Sequence, residues 1–145
     1  MGDEPDLDYR CTWARHGVAA VVTSRGRMRG QVAFDLYLEV VNSALEDPEV
    51  CAIVSDVRGA TQLPSVNDCI RFAKAASANP KGLRVRRSAA VTADTHPLMS
   101  VLLRIIASGS RFFPERRVFA NDLEGAIAWA NQVTPSEPPA RDNTT

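Results

Sequence analysis

The sequence predicts an α/β domain, a mixed and mostly parallel sheet of about five strands covered by four helices in the order ββαβαβαβα. Three observations carry this prediction. Val50 to Ser55 reads Val-Cys-Ala-Ile-Val-Ser, a nearly unbroken run of small and β-branched groups that suits a strand buried on both faces. On either side of it, apolar residues recur at helical spacing and are bounded by Gly, Pro, Asn and Asp. An alternating stretch near the start, with a reversal at His16-Gly17, adds a hairpin in front.

The chain has 145 residues, the size of one domain, which is placed at residues 9–133. Residues 1–8 are acidic, contain Pro5 and are expected to be a disordered end. In the first strand Tyr9, Cys11 and Trp13 alternate with Arg10, Thr12 and Ala14. Val18 to Thr23 completes the hairpin, and Ser24 to Gly30 is expected as a loop carrying Arg25, Arg27 and Arg29. A helix from Gln31 to Glu46 lines up Phe34, Leu38, Val41 and Leu45 on one face and stops at Asp47-Pro48.

After the central strand, Asp56, Arg58 and Gly59 bring charge to what should be its carboxyl end. Ser65 with Asp68 three positions on forms a capping box that opens a second helix through Cys69, Phe72, Ala73 and Ala76, and Asn79-Pro80-Lys81-Gly82 stops it. Leu83 to Asp94 is expected as the next strand. Thr95 or Asp94 then caps a third helix, with Pro97 in its first turn, Leu98, Val101, Leu102, Ile105 and Ile106 as a broad apolar face, and Gly109 at its end. Arg117 to Ala120 is a short last strand. Asn121 with Glu124 caps a final helix over Asp122 to Val133, packing Leu123, Ile127 and Ala130 with Trp129 at its flank. Residues 134–145 are polar and Pro-rich and are expected to be a disordered tail.

Composition excludes several function classes. The longest apolar stretches fall far short of the roughly 18 residues that span a bilayer, and the first residues are acidic where a secretory leader is basic and then apolar. The expected compartment is therefore the cytoplasm. Cys11, Cys51 and Cys69 are odd in number and lie in apolar segments, as reduced core residues do. With no Cys-x-x-Cys, no His-x-x-x-His and no carboxylate cluster, neither a metal nor a cofactor is expected.

Formal net charge is zero, but it is unevenly spread. Residues 9–133 hold 16 basic and 11 acidic side chains, and 15 of the 17 basic residues are arginine. Arginine forks bind carboxylate and phosphate at two points. The arginines are spread over several elements with no aromatic platform beside them, so nucleic-acid binding is not expected.

Over residues 9–133 the chain resembles the STAS superfamily, closest to its single-domain, bacterial SpoIIAA-like branch, whose outline the lipid-carrying Sec14 proteins share. The resemblance rests on Val54-Ser55-Asp56-Val57-Arg58-Gly59 and on Val118-Phe119-Ala120-Asn121-Asp122-Leu123-Glu124-Gly125-Ala126-Ile127-Ala128-Trp129. It implies an anti-sigma-factor antagonist, a non-enzymatic regulator that binds a protein partner. It also implies a phosphate-accepting serine nine residues after the acidic residue of the central strand, which here is Ser65. The local sequence Leu63-Pro64-Ser65-Val66-Asn67 departs from that motif, which has an acidic residue before the serine and a glycine after it.

If the two central strands end side by side, Asp56, Arg58, Asp94, Thr95 and His96 share one rim where a ligand or partner would dock. No nucleophile elbow, phosphate loop or metal spacing accompanies them, so an enzyme is not expected. Two readings stand. One is a protein-interaction module switched at Ser65. The other is a carrier or sensor of a small apolar or lipid-like ligand, with the helix from Leu98 to Ile106 and Phe112-Phe113 as its cover. The opening hairpin also leaves an edge strand, which a homodimer would pair.

Overall fold

A computed structural model describes residues 8–62, 65–78, 80–93 and 115–133. In chain order these form strand β1 (Tyr9–His16), strand β2 (Ala19–Arg27), helix α1 (Gln31–Leu45), strand β3 (Ala52–Gln62), helix α2 (Val66–Ser77), a 3-10 turn (Pro80–Arg84), strand β4 (Arg87–Thr92), strand β5 (Glu115–Ala120) and helix α3 (Leu123–Ala130). The expected helix after Thr95 lies outside the described residues, which hold three α-helices.

The five strands lie side by side in chain order, β1-β2-β3-β4-β5. β1 is antiparallel to β2, and the other pairs are parallel. Each parallel step moves the same way across the sheet, so right-handed crossovers put α1 and α2 on one face. On that face Val41, Ala44 and Leu45 of α1 pack with Ala20, Val22, Ile53 and Val85. α3 covers the other face. Its Ala126, Trp129 and Ala130 meet Ala19, Val21, Ala52, Val54, Ala89 and Val91. The small residues that read as a doubly buried strand serve this purpose: helices on both sides come close to the sheet.

Trp129 is 8% exposed and belongs to this core, not to a flank as expected. The Arg87 guanidinium stacks 4.6 Å from its ring centroid and donates to the Trp129 carbonyl at 2.7 Å, to Gln132 Oε1 at 2.8 Å and to Glu115 Oε1 at 3.0 Å. One arginine so ties β4, β5 and α3 together, and its charge lets a large aromatic close the core near the surface.

Boundaries outside the central strand also differ from expectation for local reasons. β2 runs on to Arg27, so the first half of the expected loop at Ser24 to Gly30 is strand. β4 starts only at Arg87, because Pro80–Arg84 coils into a 3-10 turn that lets Arg84 Nη2 reach the Leu45 carbonyl at the end of α1, at 2.6 Å. Asp122, not Asn121, caps α3, accepting from the Gly125 amide at 2.8 Å. Asn121 instead takes a φ of 50° and donates through Nδ2 to the Ala93 carbonyl.

The hairpin turn is held from a distance. Gly17 has a φ of 68°. Its open side receives Asn131, whose Oδ1 accepts from the Val18 amide at 2.7 Å and whose Nδ2 donates to the His16 and Ile127 carbonyls, each at 3.0 Å.

Candidate functional site

The largest departure concerns the central strand. β3 does not stop at Ser55 but continues to Gln62, so Asp56, Arg58 and Gly59 lie within the ladder and not in a loop beyond it. Strand alternation places Asp56 on the α3 face, in line with Ala52 and Val54. Thr23 pairs with Asp56 and Arg25 with Gly59, so two steps on β2 match three on β3. This bulge turns Arg58 back onto Asp56.

Arg58 donates through Nε to Asp56 Oδ1 and through Nη2 to Oδ2, both at 2.9 Å, and its amide donates to Oδ1 at 3.1 Å. A carboxylate that is 6% exposed is thereby neutralised within its own strand. The pair removes the reason to expect the strand to end there. The stem of Arg25 lies over Gly59, where a Cβ would come within 3.1 Å of Arg25 Cγ.

Ser65 belongs to a second cluster. Its Oγ accepts from the Asp68 amide and its own amide donates to Asp68 Oδ2, both at 3.1 Å, which is the expected capping box. Asp68 does more than cap. Its Oδ2 also accepts from the Gly30 amide at 3.3 Å, and its Oδ1 accepts from Arg71 Nη2. The Arg71 guanidinium in turn lies over the Phe34 ring, 5.7 Å from the centroid. Gly30 precedes α1 and supplies no side chain to cap it, so a carboxylate of α2 serves both helix starts.

The rim expected from the sequence is thus only partly described. Asp56 and Arg58 come together. Asp94, Thr95 and His96 lie outside the described residues, as do the helix from Leu98 to Ile106 and Phe112-Phe113 of the carrier reading. Ser65 is tied to the α1–α2 pair, whereas the Asp56 side chain points to the α3 face, so the structure gives these two residues separate hydrogen-bond sets. The Asp68 link to Gly30 spans 38 positions and leaves no local signature in sequence.

Both carboxyls titrate below the ordinary aspartate value. Burial opposes the charge of Asp56, but the side-chain and backbone hydrogen bonds of Arg58 and the charges of Arg58 and Arg25 outweigh it. Burial also opposes the charge of Asp68, and there the amides of Ser65 and Gly30, the Ser65 side chain and Arg71 prevail. A depressed folded-state pKa gives stability that is fully present above the unfolded value of about 3.9 and is lost as pH falls through the folded value. The urea midpoint should therefore stay level from pH 7 to about 5 and fall steeply below about 4. Asp56→Asn should flatten that acid limb, measured by urea titrations across the pH range.

Elsewhere, Tyr9 Oη and Ser24 Oγ, both buried, share a hydrogen bond of 2.8 Å, and Cys11 Sγ lies 4.0 Å from Ser24 Oγ. Burial pushes the Cys11 thiol up, which keeps it protonated and unreactive. Cys11 and Cys51 are free thiols, as expected, and the Cys69 side chain lies outside the description. Among the described residues no three metal-ligating side chains gather, and no helix is long and apolar enough to cross a membrane.

Comparison with solved structures places the fold. The chain is similar to an uncharacterised protein of the DUF3478 family with a SpoIIAA-like fold from Shewanella loihica PV-4. The TM-score is 0.58 at 16% identity, covering 89% of this chain and 99% of that one. It is also similar to the anti-sigma factor antagonist SpoIIAA in its unphosphorylated form, with a TM-score of 0.57 at 11% identity over 86% of this chain and 99% of that one. No protein-family model and no curated protein sequence matches. The five-stranded mixed sheet with its helices is a SpoIIAA-like fold.

Proposed function

We propose that this chain is a non-enzymatic regulatory module that docks a protein partner and is switched by phosphate at Ser65. The observation that carries the reading is the geometry around that hydroxyl. Ser65 is half-buried at the first turn of α2, and its Oγ is held by the Asp68 amide. The fold, shared with a protein whose structure is described in an unphosphorylated form, supports the same reading.

A kinase would transfer the terminal phosphoryl group of ATP to Ser65 Oγ, with the hydroxyl proton released and ADP leaving. The product adds about two negative charges beside amides that favour anions. It also sets that charge against the Asp68 carboxylate, which already accepts the Ser65 amide. Like charges at that distance repel, and the weakest link of the clasp is the 3.3 Å bond to Gly30. Phosphate therefore loosens α2 from the start of α1 and changes the surface a partner reads.

The test compares Ser65→Ala, Ser65→Asp and Ser65→Thr in the full chain. Phosphate incorporation from host extract, followed by mass spectrometry, should map to Ser65, vanish in Ser65→Ala and persist in Ser65→Thr. A partner cross-linked to the unmodified chain should be retained by Ser65→Ala and lost by Ser65→Asp. Phosphate found at other positions only, together with identical partner capture by all three variants, would refute the switch.

A further inference from the structure

We propose that the outer corner of β1, β2 and β3 on the α3 side is a docking surface for a carboxylate-rich peptide segment, and that its occupant is the acidic leader of the chain, residues 1–7. Arg10 pairs directly with Arg25, and both are exposed. Their register puts them on the face that carries Val21 and Thr23, and alternation adds Arg27. Arg58 lies on the neighbouring strand, paired to Asp56. Four guanidiniums thus share a corner with two described carboxylates, Asp56, which Arg58 already engages, and Asp8, which alternation puts on the same face as Arg10.

Like charges placed opposite each other on adjacent strands destabilise a sheet. Within the fold Arg58 pairs with Asp56, Arg25 adds to the positive field that favours the Asp56 charge, and Arg27 Nε donates to Gln62 Oε1 at 3.3 Å. None of these requires Arg10 directly opposite Arg25, and that pairing is the mark of a surface built for something else. Fork-shaped donors in a row fit carboxylates at two points each.

The leader has the matching chemistry and starts at the right place. Asp3, Glu4 and Asp6 fall within the seven residues before Asp8. The Asp8 carbonyl accepts from the Arg27 amide at 2.7 Å, so the chain enters the sheet at this corner. Seven extended residues reach about 24 Å, several times the roughly 4.8 Å between strands, so Arg10, Arg25 and Arg58 are all within range. A second acidic protein would have to displace the leader to bind here, which makes the leader a built-in competitor.

The experiment uses the full chain and its Asp3→Asn/Glu4→Gln/Asp6→Asn variant, with a fluorescent synthetic peptide of residues 2–8 as probe. The neutralised chain should bind the peptide at least about tenfold more tightly than the unmodified chain. Adding Arg10→Gln and Arg25→Gln, or about 0.5 M salt, should abolish the gain. Backbone amide NMR signals of Arg10, Arg25 and Gly59 should also move when the leader is neutralised. Equal peptide affinity for both chains, with signal changes confined to residues 1–8, would overturn the proposal. So would binding of a single-stranded DNA of about twelve nucleotides through the same arginines where the peptide fails, since that outcome assigns the corner to nucleic acid. Neither of these results depends on Ser65.

Discussion

Asn131→Ala is expected to lower the unfolding free energy by about 3 kcal/mol. The side chain makes three hydrogen bonds, to the Val18 amide, the His16 carbonyl and the Ile127 carbonyl. Removing it leaves the part-buried Val18 amide without its acceptor and frees the hairpin turn from the end of α3. Gly17→Ala should do comparable harm by another route. A Cβ at Gly17 would stand 2.2 Å from Asn131 Oδ1, so the amide must swing away, and an L side chain at a φ of 68° adds about 1 kcal/mol. The two changes act on one contact, so the double variant should cost clearly less than the sum of the singles. Urea unfolding of the three variants measures this. Additive costs would show that the turn and the helix end are energetically separate.

Asp68→Ala is expected to cost about 3 kcal/mol as well, because one buried carboxylate is shared by two helix starts. Asp68 is 4% exposed and accepts the amides of Ser65 and Gly30 as well as the Arg71 guanidinium. Losing it strands both amides and removes the negative charge from the first turn of α2. Ser65→Ala, by contrast, loses only the cap to the Asp68 amide and should cost about 1 kcal/mol. Hydrogen exchange separates the two: the Gly30 amide should lose protection in Asp68→Ala and keep most of it in Ser65→Ala. Equal protection of Gly30 in both variants would remove the clasp from the account of the switch.

The order of the described elements was legible because each of these strands and helices announces itself locally. Alternation around Tyr9, Cys11 and Trp13, the apolar run at Val50 to Ser55 and the Ser65–Asp68 box all report on a few neighbouring residues; the first strand and the box form as read, whereas the run yields a central strand that starts at Ala52 and continues to Gln62. Legibility failed where a residue's state is fixed by a distant partner. Asp56 and Arg58 looked like a strand end because charges are costly in a sheet, yet their mutual pairing on one face satisfies both. Trp129 looked like a flank residue until Arg87, 42 positions away, supplied the cation over its ring. The Asp68–Gly30 and Asn131–Val18 bonds belong to the same class. Of the expected rim, Asp56 and Arg58 lie among the described residues, and they form an ion pair with each other.

The strands stand in the sheet in the order in which they are translated. During synthesis each new strand therefore finds its neighbour already laid down, and the sheet can grow from the hairpin outward with no gap left for a late insertion. α3 is last among the described elements, and it is the helix that shields Val21, Val54 and Val91. Until α3 has been made, that side of the nascent sheet lacks the Ala126, Trp129 and Ala130 contacts that close it, so the last-made described element is the one that completes this half of the core.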